Sequence, residues 1–289
     1  MLISAQGDIP GQNLAAPGGT PVDTLGDGDA VPTTFATTDA ATFAYVAPDP
    51  PIAPVVDVAA LTAGTKWTSV DPASGRTVIT FSFADPQVST YVYGGYPSGL
   101  QAFSDADKAL TRQILANVEA VCNVHFVEVP DNADICGVVR YGYSPQVTAM
   151  QLAGYGYFPS TSPEGGDVWL GTQMMNQAWD GFRPELILHE TLHALGLKHP
   201  FGSGIVLPTS ENIIPDTVMS YSPVAGSATG SLTAYPTQPM PLDVATLQFL
   251  YGAPQVAAQD VTYGLSSAQF QSDFSTIYHA GGHVTLDAS

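Results

Sequence analysis

The sequence predicts an α+β fold, a twisted mixed sheet backed by helices, and three observations carry that expectation. Thr77–Phe83 (TVITFSF) is β-branched and aromatic, and reads as a strand. Ser104–Val121 reads as an amphipathic helix in which Ser104 is the N-cap and Leu110, Ile114 and Val118 recur every four residues as an apolar stripe. His125–Val129 and Ile135–Gly142 then read as strands, with the turn-forming PDNAD between them. Strand, helix, strand is the opening of a sheet with a crossover helix.

The other elements follow in order. Ala153–Pro159 (AGYGYFP) and Gly166–Gly171 (GDVWLG) read as short strands joined by a Ser/Pro/Gly loop. A helix opens near Pro184, a favoured first-turn residue, and runs through ELILHETLHAL to Gly196. A last helix, from about Leu242 to Leu250, ends at Tyr251-Gly252, and the chain holds no internal repeat. Ahead of all these, residues 1 to about 60 are rich in Ala, Pro, Gly, Thr and Asp and lack helical periodicity. They read as a flexible arm or as a propeptide-like cover for a cleft, with order beginning at Gly64–Trp67.

A chain of 289 residues, 45% hydrophobic, is globular and can bury a core. Seven Lys+Arg stand against 26 Asp+Glu, a net charge of -19. That field repels phosphate backbones and anionic lipid, so nucleic acid and membrane surfaces are not expected partners. No run of 18 apolar residues is present to span a bilayer. The N-terminal MLISAQGDIPGQN lacks a basic region followed by an apolar one, so it does not read as a secretory signal. The two cysteines, Cys122 and Cys136, are either buried thiols or a disulfide closing a short loop, and neither is placed as a metal ligand.

The chemistry lies in HETLHALGLKHP. On a helix His189 and His193 are four residues apart, so both imidazoles leave one face and reach a single ion. Zinc accepts neutral histidine nitrogen, and a catalytic site keeps one position open for water. Glu190 follows the first ligand and is offset toward that water, where a carboxylate serves as general base. Gly196 permits the positive φ at which the chain leaves the helix, and His199 returns as the third ligand.

His189-Glu190-x-x-His193-x-x-Gly196-x-x-His199 matches the extended metzincin signature. In DTVMSYS, Met219 stands twenty residues after His199, where metzincins carry a methionine turn beneath the metal. Pro200 after the third histidine, with MSY at the turn, resembles the serralysin family of metalloproteases. GTKW, TVITFSF, YGYFP with GGDVW, and PLDVATLQFLYG are similar to that family too, so the resemblance covers roughly residues 63 to 265.

That resemblance implies more than spacing does. It implies a smaller, loop-rich lower part built around the Met-turn. Tyr221 would match the tyrosine that ligates zinc at rest and stabilises the oxyanion during catalysis. YGYFP would match the edge strand along which an extended peptide lies. The expected domains are an arm at 1–62, a catalytic domain at 63–252 and the start of a C-terminal β domain at 253–289. Serralysins continue into a calcium-binding β-roll of nonapeptides, but no complete nonapeptide precedes Ser289, so Ca2+ is expected only with such a roll. The segment between His199 and Met219 is short for the family. The implied protein is a secreted, monomeric zinc endopeptidase acting on proteins or peptides, exported without a signal peptide. Astacin-like and matrixin-like branches fit less well: Pro200 stands where astacins place a glutamate, and no cysteine precedes Cys122. A rival from another class is a non-catalytic zinc-stabilised surface or binding protein, against which Glu190 is intact.

Overall fold

The computed structural model describes residues 45–46, 56–87, 98–132, 135–201, 204–223, 234–254, 259–265 and 276–287. Strand β1 (Tyr45–Val46) pairs antiparallel with β2 (Lys66–Trp67), and between them lies helix α1 (Val56–Leu61). Then come β3 (Thr77–Phe83), α2 (Asp105–Glu119), β4 (Val124–Glu128), β5 (Val139–Ser144), α3 (Pro145–Ala149), β6 (Gly154–Gly156) and β7 (Val168–Gly171). Two 3₁₀ turns, Thr172–Met175 and Gln177–Trp179, lead into α4 (Arg183–Ala194), followed by α5 (Pro241–Tyr251), β8 (Val261–Gly264) and β9 (Val284–Asp287).

The expected mixed sheet is present, with strand order β4-β3-β5-β7-β6. The first four strands run parallel and β6 closes one edge antiparallel to β7. β3 largely alternates between buried and half-buried residues, whereas β5 and β7 are buried along their whole length. Parallel strands covered on both faces behave so. The α2 stripe faces the core through Ile114, Leu115 and Val118, and the Ser104 hydroxyl accepts the Asp107 N–H at 3.1 Å as its N-cap. β5 starts four residues later than the sequence suggests, because Ile135–Val138 are spent crossing β3. The Gly137 N–H donates to Ser82 Oγ there, and any side chain on Gly137 would collide with the Phe81 backbone.

α4 is buried at every position from Glu185 to Ala194, so it runs through the middle of the molecule and not along its surface. The longest described helices, α2 and α4, have 15 and 12 residues. No helix among the described residues is long and apolar enough to cross a membrane.

Two expectations are adjusted. Order begins ahead of Gly64: α1 packs against α5 and buries Val58, Ala60 and Leu61. Most of the expected arm at 1–62 lies outside the described residues. Cys122 and Cys136 are both free thiols, so the disulfide alternative falls. Burial pushes Cys122 up to about 12 and Cys136 up to about 11.

Two carboxyls are buried between α4 and α5. Burial, and then the neighbouring Asp243, push Glu185 up to about 8, so it stays protonated at neutral pH. Asp243 is raised to about 6 by burial, against three hydrogen bonds that lower it. Between about pH 4.5 and about pH 8 the unfolded chain releases the Glu185 proton while the folded chain keeps it. Stability contributed by Glu185 therefore falls as pH rises through that window. Glu185→Gln is expected to melt with the parent near pH 4.5 and above it by pH 8, a gap on the order of a few kcal/mol. Parallel melting curves across that range would mean that Glu185 titrates as an ordinary carboxyl.

Candidate metal centre

α4 carries His189, Glu190 and His193, and the chain turns off it at Gly196 (φ +98°) to bring in His199. Only glycine suits that turn, since a side chain there would strike the Thr65 carbonyl oxygen. All three histidines are buried, and their candidate ligand atoms lie within 4.8 Å of one another. His199 Nε2 stands 3.1 Å from His189 Nε2 and 3.1 Å from His193 Nε2.

The outward nitrogens of His189 and His193 are fixed from behind. His189 Nδ1–H donates to the Val218 carbonyl at 2.7 Å, and His193 Nδ1–H donates to the Leu197 carbonyl at 2.8 Å. A neutral imidazole with its proton on Nδ1 leaves Nε2 with a lone pair. Burial, then His193 and His199, hold the His189 imidazolium well below its ordinary range, so the neutral form is the one present. With Nε2 bare on both His189 and His193, a proton on His199 Nε2 can serve only one of them at a time, whereas a cation among the three nitrogens serves all of them. Three nitrogens at zinc-bonding distance in a tetrahedral array are about 3.3–3.4 Å apart, close to the 3.1 Å between His199 Nε2 and each of the other two. The donor set fits zinc.

Tyr221 joins this cluster: its hydroxyl lies 2.9 Å from His199 Nε2, and its ring centroid lies 4.8 Å from that of His199. Glu190 is buried on the same helix, against the sheet. A side-chain carbon on Gly154 would fall 2.6 Å from Glu190 Oε1, and one on Gly156 would fall 2.9 Å from the His193 Cβ. The two glycines of β6 thus let the edge strand lie directly on the ligand-bearing face of α4. Met219 is fully buried in the turn just ahead of Tyr221.

The structure therefore gathers His189, His193, His199, Glu190 and Tyr221 in one place. Sequence reasoning missed what surrounds them. The Phe201 ring stacks on His199 at 5.1 Å, and Phe158 meets His193 edge-on at 5.5 Å. The carbonyls of Leu197 and Val218 are backbone groups without a sequence signature. The Gly-x-Gly spacing of β6 was a usable signal, because alternate strand residues share a face.

No protein-family model matches the chain. It is similar to "Serralysin" of Photorhabdus laumondii, with 27% identity over 218 residues that cover 66% of this chain and 45% of that protein. "Metallopeptidase AprA" of Pseudomonas marginalis is 29% identical over 248 residues, 75% of this chain and 51% of its own. "Serralysin A" of Dickeya chrysanthemi is 27% identical over 253 residues, 78% and 51%. The chain spans about half the length of the curated relatives it matches. With the histidine cluster in place, these likenesses relate the chain to the serralysin family of metalloproteases.

Proposed function

We propose that this chain is a secreted, monomeric zinc-dependent endopeptidase of the metzincin type that hydrolyses protein or peptide substrates. The observation that carries the reading is the convergence of three histidine side chains, two of them on the helix that also carries the buried Glu190. His189, His193 and His199 would hold zinc, with the Tyr221 hydroxyl as a further ligand at rest. When bound, zinc would supply Lewis acidity, lowering the pKa of a water and polarising the scissile carbonyl.

The other steps belong to the chain. Glu190 takes the proton from the attacking water and passes it to the leaving amine. The Tyr221 hydroxyl donates to the oxygen on which negative charge develops. An extended peptide pairs with the outer edge of β6, which is last in its sheet and lies against Glu190 and His193. Backbone pairing of that kind gives affinity with little sequence preference. The buried turn at Met219 is the Met-turn in this reading, forming the floor under the ligands. The parallel pair β8–β9 begins a C-terminal β domain, and calcium enters only with a complete roll.

The test is metal content and peptidase activity on one sample. One zinc per chain is expected, with hydrolysis of casein or a fluorogenic peptide that stops with a strong chelator and returns with zinc. Well under one zinc after loading would overturn the metal site. Full zinc without hydrolysis would leave a zinc-stabilised binding protein.

A further inference from the structure

We infer that Asp243 is a positioning residue for His189, acting through the backbone of Val218; the inference deepens the zinc reading above and rests on it. Asp243 is fully buried in the first turn of α5. One carboxylate oxygen accepts the Thr217 hydroxyl at 2.6 Å. The other accepts the Val218 N–H and the Met240 N–H, each at 2.9 Å.

A carboxylate held in the core is costly unless hydrogen bonds satisfy it. Capping α5 would account for the Met240 bond alone. The other two bonds go to a segment 25 and 26 residues upstream in sequence. There Val218 is gripped at its N–H by Asp243 and offers its carbonyl to His189 Nδ1–H at 2.7 Å. The Thr217 hydroxyl also accepts the Met219 N–H at 3.1 Å, and the Leu242 N–H donates to the Asp216 carbonyl at 3.0 Å. The segment is thus sewn to α5 at several points. It leads within three residues to Tyr221, whose hydroxyl sits at His199 Nε2. One side chain on α5 therefore fixes the tautomer and aim of one histidine and the origin of the tyrosine. Outer groups that orient metal-ligating histidines act in this way.

The experiment compares the full chain with Asp243→Ala, Thr217→Val and, as a packing control on the same helix, Leu247→Ala, which truncates a fully buried side chain. Two quantities are read on folded protein: zinc affinity by chelator competition, and the NMR signal of the His189 Nδ1 proton in the zinc-free chain. Asp243→Ala is expected to weaken zinc binding by about 10–100-fold. It should also broaden or abolish the Nδ1–H signal. Leu247→Ala should lower the melting temperature and change neither quantity. Thr217→Val should give a smaller loss of the same kind, and it decides the matter if Asp243→Ala does not fold. Zinc affinity within about twofold of the parent and an unaltered Nδ1–H signal in the deciding variant would overturn the inference. A parent chain that fails to bind zinc would defeat the proposed function, and the Nδ1–H signal would still decide whether Asp243 holds His189.

Discussion

Glu190→Gln is expected to lower peptide turnover by about 10²–10⁴-fold while zinc stays bound. The substitution keeps the size of the side chain and removes its basicity. Glu190 lies between two candidate ligands on α4 and is buried, with its carboxylate packed against Gly154 of β6. Glutamine fits that slot, so the helix and the histidines should be undisturbed. What the variant lacks is a group able to hold the water proton and then deliver it. The measurement is kcat on a fluorogenic peptide, with zinc content and melting temperature taken from the same preparation. Near-normal turnover at full zinc would assign the proton transfer to another group. Loss of zinc would mean that Glu190 shapes the metal site itself, contrary to a role confined to proton transfer.

The parts of this molecule that could be read in the sequence are those whose determinants lie within a turn or two. The β3 alternation, the α2 stripe with its Ser104 cap, and the ligand spacing on α4 are all short-range patterns. The relation of α1 to the site is not. Its six residues are too few for a periodic signal, and its order comes from contacts with distant segments. The Leu61 carbonyl accepts the Lys198 N–H at 2.7 Å, and Lys198 Nζ donates to the Ala60 carbonyl, next to His199. A stretch assigned to a loose arm thus backs the loop that brings in the third histidine. A truncation meant to ask whether residues ahead of the domain cover the cleft has to start before Val56. Starting near Leu61 would strip α1 from α5.

The same distinction explains the site. Spacing located His189, His193 and His199, but the groups that hold the Nδ1 protons of the first two are carbonyls at Val218 and Leu197, and any residue supplies a carbonyl. Asp243 had a faint signal, an acid in the apolar run PLDVATLQFLYG, and its partners are 25 and more residues away. Pairings of that range are settled by packing. The two glycines of β6 stand between these cases: their spacing is local, but its meaning depends on α4 lying beneath them.

Tyr221→Phe is expected to lower kcat by about 10²–10³-fold, the usual cost of losing one oxyanion donor. The ring is held on two sides, 4.8 Å from the His199 centroid and 4.9 Å from that of Phe201, so phenylalanine should keep its place. The hydroxyl is then the only group removed, and it is the one that sits 2.9 Å from His199 Nε2. Three histidines remain to hold zinc, so metal content should stay at one per chain, with affinity falling less than it does for Asp243→Ala. KM should move little, because a hydroxyl that acts on developing charge contributes to the transition state more than to the bound substrate. Steady-state kinetics on a peptide of at least six residues would separate the two constants. An unchanged kcat would remove Tyr221 from the reaction and leave it as the aromatic neighbour of His199. A raised KM at constant kcat would instead place its hydroxyl among the groups that bind the substrate backbone.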